Sequence, residues 1–312
     1  MNRRETLLNL IHDPNAAGYV PAAFFLHFAE AYHRGRAAID KQLEFFRQTG
    51  MDFVKIQYEQ LQPEHAPIRK PADWRGLPRV EADFFEPTLE VVRGLVKAAG
   101  KEALVVLTVY SPFMWAAHYD PDGLMKAHLQ EDPQAVAAGL ESMTANVLKL
   151  VAACKRAGLD GFYVSTQGGE AFRFPGTDFF QRYVKPTDLA VWAEVRDCAF
   201  NILHICDYVG PYEDLSPFLD YPGHVVNCSL KLGERTLTPQ ALSDMFQRPF
   251  MGGLERKGPI ASGSPAVIRR EVRAVLAGAP PRFILGADCT VPGDTPWENL
   301  RAAIEEGHGY RG

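Results

Sequence analysis

The feature that most constrains this chain is an alternation. Short, almost continuously apolar runs recur between longer stretches with helical periodicity, from residue 22 nearly to the C-terminus. Eight runs read as strands: 22–28, 53–57, 104–110, 161–165, 200–205, 224–229, 250–252 and 283–286. Most are apolar throughout, which is the pattern of parallel strands buried on both faces. Between them, 39–48, 87–99, 133–157, 189–198, 239–246, 265–277 and 297–307 carry apolar residues at i, i+3, i+4 and i+7. Asp132-Pro133, Thr238-Pro239, Ser264-Pro265 and Thr295-Pro296 each set a capping side chain before a proline suited to a first helical turn. Gly100, Gly158 and Gly278 stand where helices should end. Eight strands alternating with helices predict an α/β fold, a single (β/α)8 TIM-type barrel. A short N-terminal helical extension, MNRRETLLNLI, precedes it. A doubly wound open sheet is the competing architecture. Against it, no strand is followed by G-x-G-x-x-G or a Walker A sequence, which also disfavours the nucleotide sites built on those loops.

Composition narrows the function. The chain has 312 residues, 46% hydrophobic and 23% charged, an ordinary globular balance. The length would divide into two domains at roughly 150 residues each, but a barrel takes all of 1–312 as one domain. Thirty-three Lys and Arg face 38 Asp and Glu, a net charge of −5. That lacks the basic footprint of a nucleic-acid binder and is equally poor for an anionic membrane surface. No stretch approaches 18 uninterrupted apolar residues, and the N-terminus has neither a long apolar segment nor a small-residue cleavage site. Five cysteines, at 154, 198, 206, 228 and 289, are too few and too odd a set for a disulfide framework. A reducing, cytoplasmic setting is expected.

Barrel chemistry sits at the C-terminal ends of the strands. The fifth run ends in Ile202-Leu203-His204-Ile205-Cys206. Alternate strand residues point the same way, so His204 and Cys206 can share a side. The eighth run leads into Asp288-Cys289, at the same rim. One imidazole and two thiols suit Zn²⁺, with a fourth position open to water or substrate. Cys206 and Cys289 read equally well as small packed residues, a common fate of free cysteine. A zinc-held thiol stays deprotonated at neutral pH and is a nucleophile.

Other rim residues divide between chemistry and packing. His27, ending the first run, is a candidate general acid/base or a histidine hydrogen-bonded in the rim. Gln57 and Glu59 share a face after the second run; Glu59 suits a cationic or hydroxylated substrate or a solvated loop. Tyr110 ends the third run, followed by Phe113, Met114 and Trp115, a pocket wall or simple packing. Thr166-Gln167-Gly168-Gly169-Glu170 follows the fourth run, its glycines allowing close backbone approach to a ligand or marking, as the preferred reading, a flexible loop. Cys154 and Cys198 fall in helices and read as core.

Taken together, these residues resemble the uroporphyrinogen decarboxylase-like superfamily over nearly the whole chain. The run 286–300, GADCTVPGDTPWENL, is similar to that family's ending, and Asp52–Ile56 and Met251-Gly252-Gly253-Leu254 resemble further landmarks. True decarboxylases of the family carry a Met-Arg-Gln-Ala-Gly-Arg motif after the first strand and an aspartate after the second. This chain has Leu26-His27-Phe28-Ala29-Glu30-Ala31 and Ile56-Gln57-Tyr58-Glu59 there. Those departures weigh against a polyanionic tetrapyrrole. The closer resemblance is to the zinc-dependent corrinoid:thiol methyltransferases, such as those that methylate coenzyme M. They hold zinc through His-x-Cys after strand five and a Cys after strand eight, matched by His204, Cys206 and Cys289. Cobalamin-independent methionine synthase uses a similar set, with a carboxylate after strand six where this chain has Val226-Asn227-Cys228-Ser229. The fourth ligand is therefore open among water, a substrate thiol, Asn227, Cys228 and Glu170, with Cys228 preferred as packed.

The resemblance implies methyl transfer from a methylcorrinoid, carried on a separate protein, or from another donor, to a zinc-bound thiolate. His27 and Glu170 would be catalytic, and Gln57, Glu59, Tyr110, Gln167 and Asn227 would bind substrate. Metal-independent decarboxylation of a porphyrinogen or smaller acid is the alternative, and a non-catalytic ligand-sensing barrel a third.

Overall fold

In the computed structural model, which describes residues 2–16 and 18–310, the apolar runs become a parallel sheet. The strands are β1 (Phe53–Ile56), β2 (Leu104–Tyr110), β3 (Gly161–Thr166), β4 (Ile202–Ile205), β5 (Val225–Asn227), β6 (Lys231–Leu232), β7 (Arg235–Thr236), β8 (Phe250–Leu254) and β9 (Phe283–Ala287). Seven form one sheet in the order β1-β2-β3-β4-β5-β8-β9, with every pairing parallel. β6 and β7 form a separate antiparallel hairpin that the sequence pattern does not announce. The seventh run is longer than expected, reaching Leu254.

The first run corrects the eight-strand reading. Residues 22–28 occupy the eighth place between β9 and β1, but as an extended segment with two isolated parallel bridges, Ala22 to Leu285 and Leu26 to Val291. Its backbone still links both edges: Ala23 N–H donates to Leu285 O at 3.0 Å, and Asp52 N–H to Ala22 O at 2.9 Å. The physical reason for the weak ladder lies in two residues. Pro21 has no N–H to give, and the Ala22 amide is taken by the Asp52 side chain at 2.7 Å. Asp52 also accepts from Tyr19 and His308, both at 2.8 Å, so one buried carboxylate gathers the ends of the barrel.

Helices cover the outside as the periodicity predicts, with no end shifted by more than four residues: Gly35–Thr49, Glu86–Ala99, Pro133–Arg156, Lys185–Val195, Pro239–Phe246, Pro265–Leu276 and Trp297–Gly309. Asp132 and Thr238 cap their helices through Ala135 and Ala241 amides. Ser264 holds its cap position without such a bond, and Thr295 makes none because Pro296 itself holds the last cap position. The N-terminal helix is Arg3–His12; Met1 lies outside the described residues. Pro133–Arg156 is long and apolar enough to cross a membrane by length and composition. Its apolar face is buried, and it packs on Lys185–Val195 and the segment Pro71–Gly76.

Inside the barrel, aromatic rings close the floor. Phe53 packs on Phe25 at 5.5 Å and Phe200 at 5.3 Å between centroids, and Phe25 meets Tyr163 at 5.7 Å. Each such ring, fully buried, contributes about 1.5–3 kcal/mol. Gly161 opens β3 where a Cβ would stand 1.8 Å from the Phe200 carbonyl oxygen. Polar side chains begin directly above this floor.

Candidate metal centre

β4 positions two of the three expected ligands. His204 pairs in register with Ser165 on β3 and Asn227 on β5. The ladder runs one residue past β4, with Cys206 N–H donating to Thr166 O at 3.0 Å. Cys206 therefore keeps strand geometry and stands one pleat above His204 on the same side. At β9 the ladder likewise continues, with Asp288 N–H bonding Leu254 O at 2.9 Å, and Cys289 follows.

The three converge. His204, Cys206 and Cys289 offer one ligand atom each, all within 4.8 Å of one another. Cys289 Sγ lies 3.4 Å from His204 Nε2. Ligand bonds of about 2.3 Å to sulfur and about 2.1 Å to nitrogen, at a tetrahedral angle, put that edge at roughly 3.6 Å. His204 and Cys206 are buried and Cys289 is partly so. The His204 ring lies against Tyr163, centroids 4.8 Å apart, and its buried Nδ1 has no hydrogen-bond partner. The two thiols act as one unit. A hydrogen bond from Cys206, with the charges of His204 and Arg256, holds Cys289 well below the ordinary thiol range. Donating that bond, together with burial, pushes Cys206 up. Two sulfurs in hydrogen-bond contact beside an imidazole are a donor set suited to a thiophilic cation.

The cluster opens into a cavity of about 450 Å³, which also receives His27, Gln57, Tyr110 and Gln167. Gln167 Nε2 donates to Cys206 Sγ at 3.5 Å. Gln57 bonds on both sides: its Oε1 accepts from Lys55 Nζ, and its Nε2 donates to His27 Nε2 at 2.9 Å. With Nε2 accepting, His27 carries its proton on Nδ1 and donates it to Glu59 Oε1 at 2.8 Å. Glu59 is thus spent on orienting His27 and does not line the cavity.

Two other expected residues are not brought to the cavity. Glu170 is fully buried, accepting from Gly168 N–H at 2.8 Å and pairing with Arg173 at 3.2 Å, so its charge is consumed within its own loop. Asn227 accepts from the Tyr163 hydroxyl and donates to Met251 O at 2.9 Å and Ala287 O at 3.0 Å. Its amide is saturated in tying β5 to β8 and β9. Cys228 is packed as expected, and burial pushes its thiol up.

Lys55 and Arg256 were not anticipated. Lys55 is buried at the cavity floor, donating to Thr108 Oγ1 at 2.8 Å, its Nζ over the rings of Phe25 and Tyr163 at 4.6 and 4.5 Å. Burial lowers it to about 7, against the charges of Cys289, Glu59 and Cys206. The signal was present: a lone lysine inside the apolar run Phe53–Ile56. Arg256 had no such signal, because it lies two residues beyond a strand end in an ordinary polar turn.

Residues 50–310 match the model of the uroporphyrinogen decarboxylase (URO-D) family. The chain belongs to the URO-D family. No curated protein sequence matches it. Among solved structures, this URO-D chain is similar in fold to a methyltransferase from Methanosarcina mazei: 16% identity, 98% of each chain covered, TM-score 0.79. It is also similar to a B12-independent methionine synthase from Shewanella sp. in complex with selenomethionine (12% identity, 94% of this chain and 95% of that one, TM-score 0.56). A putative vitamin-B12-independent methionine synthase from Listeria monocytogenes matches at 14% identity, 94% and 97% coverage and TM-score 0.52.

Proposed function

We propose that this URO-D family member is a zinc-dependent methyltransferase acting on a small thiol. The observation that carries the reading is the convergence of His204, Cys206 and Cys289 within 4.8 Å at the side of a cavity. The fold shared with a methyltransferase and with two methionine synthases supports it. His204 Nε2 and the two thiolates would hold the ion, and the cavity they border would admit the acceptor sulfur. Zn²⁺ bound there would keep the acceptor sulfur deprotonated and nucleophilic at neutral pH.

The chain's own residues then have defined tasks. His27, oriented by Glu59 and Gln57, takes the thiol proton at Nε2, exchanging it for the Gln57 amide contact. Gln167 holds the Cys206 sulfur in place. Tyr110 and Met114 wall the acceptor, and the buried location limits water around the sulfur. The methyl group comes from a methylcorrinoid on a separate protein or from another donor entering by the open mouth beside His27. Decarboxylation of a porphyrinogen has less support. Arg256 is the cavity's one arginine among the described residues, and it is engaged with Asp207 and Asp288.

Metal analysis of protein purified without chelator tests the proposal. The expected result is about one zinc per chain, lost in a Cys206→Ser, Cys289→Ser double variant that keeps its circular dichroism. A folded wild-type chain that takes up no zinc from buffer overturns it.

A further inference from the structure

The two thiols belong to different loops, and something must fix their separation. Cys206 is followed by Asp207, and Cys289 is preceded by Asp288. Both carboxylates reach the same guanidinium: Arg256 Nη1 is 2.7 Å from Asp207 Oδ1 and 3.2 Å from Asp288 Oδ2. The Arg256 backbone N–H also donates to Asp288 Oδ1 at 2.8 Å, and Asp288 N–H returns to Leu254 O at 2.9 Å. The three side chains are 10–16% exposed. A pair of that burial is screened far less than a surface one, and one Nη1 group set between two carboxylates holds them at a defined spacing.

We propose that Arg256 is a positioning residue that sets the distance between Cys206 and Cys289 by clamping Asp207 to Asp288, and so presets the metal site before any ion arrives. The inference rests on the metal reading above. Its logic is geometric. β4 and β9 are not neighbours in the sheet; β5 and β8 lie between them. Among the described residues no backbone ladder joins the two cysteine-bearing loops, and Arg256, just past β8, is the cross-piece. The same side chain lines both the 450 Å³ cavity and a second cavity of about 350 Å³ behind it, whose walls include Asp207 and Asp288. The clamp is therefore a partition as well as a strut. Without it, the loop ends gain freedom that metal binding must then remove.

The experiment compares the wild type, Arg256→Met, Arg256→Lys and Arg269→Met, the last removing a surface cation paired with Glu305 and Glu306. Zinc affinity is read by competition with a chromophoric chelator, and site geometry by the visible bands of Co²⁺-loaded protein. Arg256→Met should bind zinc about 10- to 100-fold more weakly, the range for losing a residue that supports metal ligands. Arg256→Lys should recover part of that loss, and Arg269→Met should match the wild type. A second readout needs no metal. In chelator-treated protein under dilute hydrogen peroxide, two thiols held in contact close to a disulfide, losing two protons and two electrons as peroxide becomes water. Arg256→Met should close the Cys206–Cys289 bond more slowly than wild type. Unchanged zinc affinity and an unchanged closure rate in Arg256→Met, in a folded variant, would overturn the clamp while leaving the metal reading intact. A wild type that takes no zinc removes the metal reading, and with it the preset metal site. In that case the closure rates decide whether Arg256 still spaces the thiols.

Discussion

His27 shows how a side chain acquires a role from its neighbours. Half of it is exposed, and its position at a rim was compatible with either catalysis or packing. The chain of contacts from Lys55 through Gln57 to His27 and Glu59 selects its tautomer and aims its Nε2 inward. His27→Ala should therefore leave zinc content unchanged and lower methyl transfer to the thiol by about 10²-fold or more, the usual worth of a positioned acid/base. Zinc analysis beside a turnover assay checks it, and loss of zinc in that variant would refute the role. Gln57 and Tyr110 were legible from sequence because strand ends in barrels face the site. Lys55 is harder to place from sequence, because only the fold shows that its strand turns this side chain to the cavity floor, where Thr108 and Gln57 receive it. Glu170 misled because a carboxylate after two glycines resembles a site residue, while its partner Arg173 lies only one turn away.

Elements are tied together by buried polar groups whose chemistry can be tested without substrate. Asn227 on β5 spends its whole amide on Tyr163, Met251 and Ala287. Asn227→Leu leaves those groups unmet in the interior and should cost about 3 kcal/mol of stability, seen as a lowered urea midpoint. Were Asn227 a fourth ligand, the substitution would cost zinc affinity instead. Asp188, on the helix Lys185–Val195, accepts from Thr166 Oγ1 on β3 at 2.5 Å and from the Tyr221 hydroxyl at 3.0 Å. Burial raises its carboxyl from 3.8 to about 7, against the hydrogen bonds from Thr166, Tyr221 and Ser111. A raised folded-state value means that the folded chain binds a proton the unfolded chain has lost between pH 3.8 and 7. This contribution to stability is thus whole below pH 3.8 and falls as pH rises through 7. Asp188→Asn should flatten that decline, measured as Tm against pH for the two proteins. A decline as steep in the variant would assign the effect to other groups.

At the scale of the whole molecule, the proposed metal site would be a closure device as well as a chemical one. His204 and Cys206 of the β4 end meet Cys289 past β9, and at the seam the segment 22–28 makes two isolated bridges. An ion that binds the folded chain alone stabilises it by mass action, about 4 kcal/mol when free zinc is a thousand times its Kd. Zinc-loaded protein should melt several degrees above chelator-treated protein, and the difference should vanish in Cys206→Ser, Cys289→Ser. An equal shift in that variant would place the stabilising ion elsewhere. Architecture was written in the one-dimensional pattern. Continuous apolar runs with period-3.6 stretches between them allow few arrangements other than a parallel sheet covered by helices, so strand and helix positions were readable to within a few residues. The His-x-Cys pair was readable for the same reason, since a strand's period of two is local. Everything that depends on contact between distant segments was decided only in three dimensions. Asp52 weakening the first strand, Glu59 turning to His27, Asn227 saturated by β8 and β9, and Arg256 bridging Asp207 to Asp288 all involve partners dozens of residues apart. Composition and periodicity carry no record of which polar group will satisfy which; burial does, because each buried donor or acceptor must find its partner wherever the folded chain has put one.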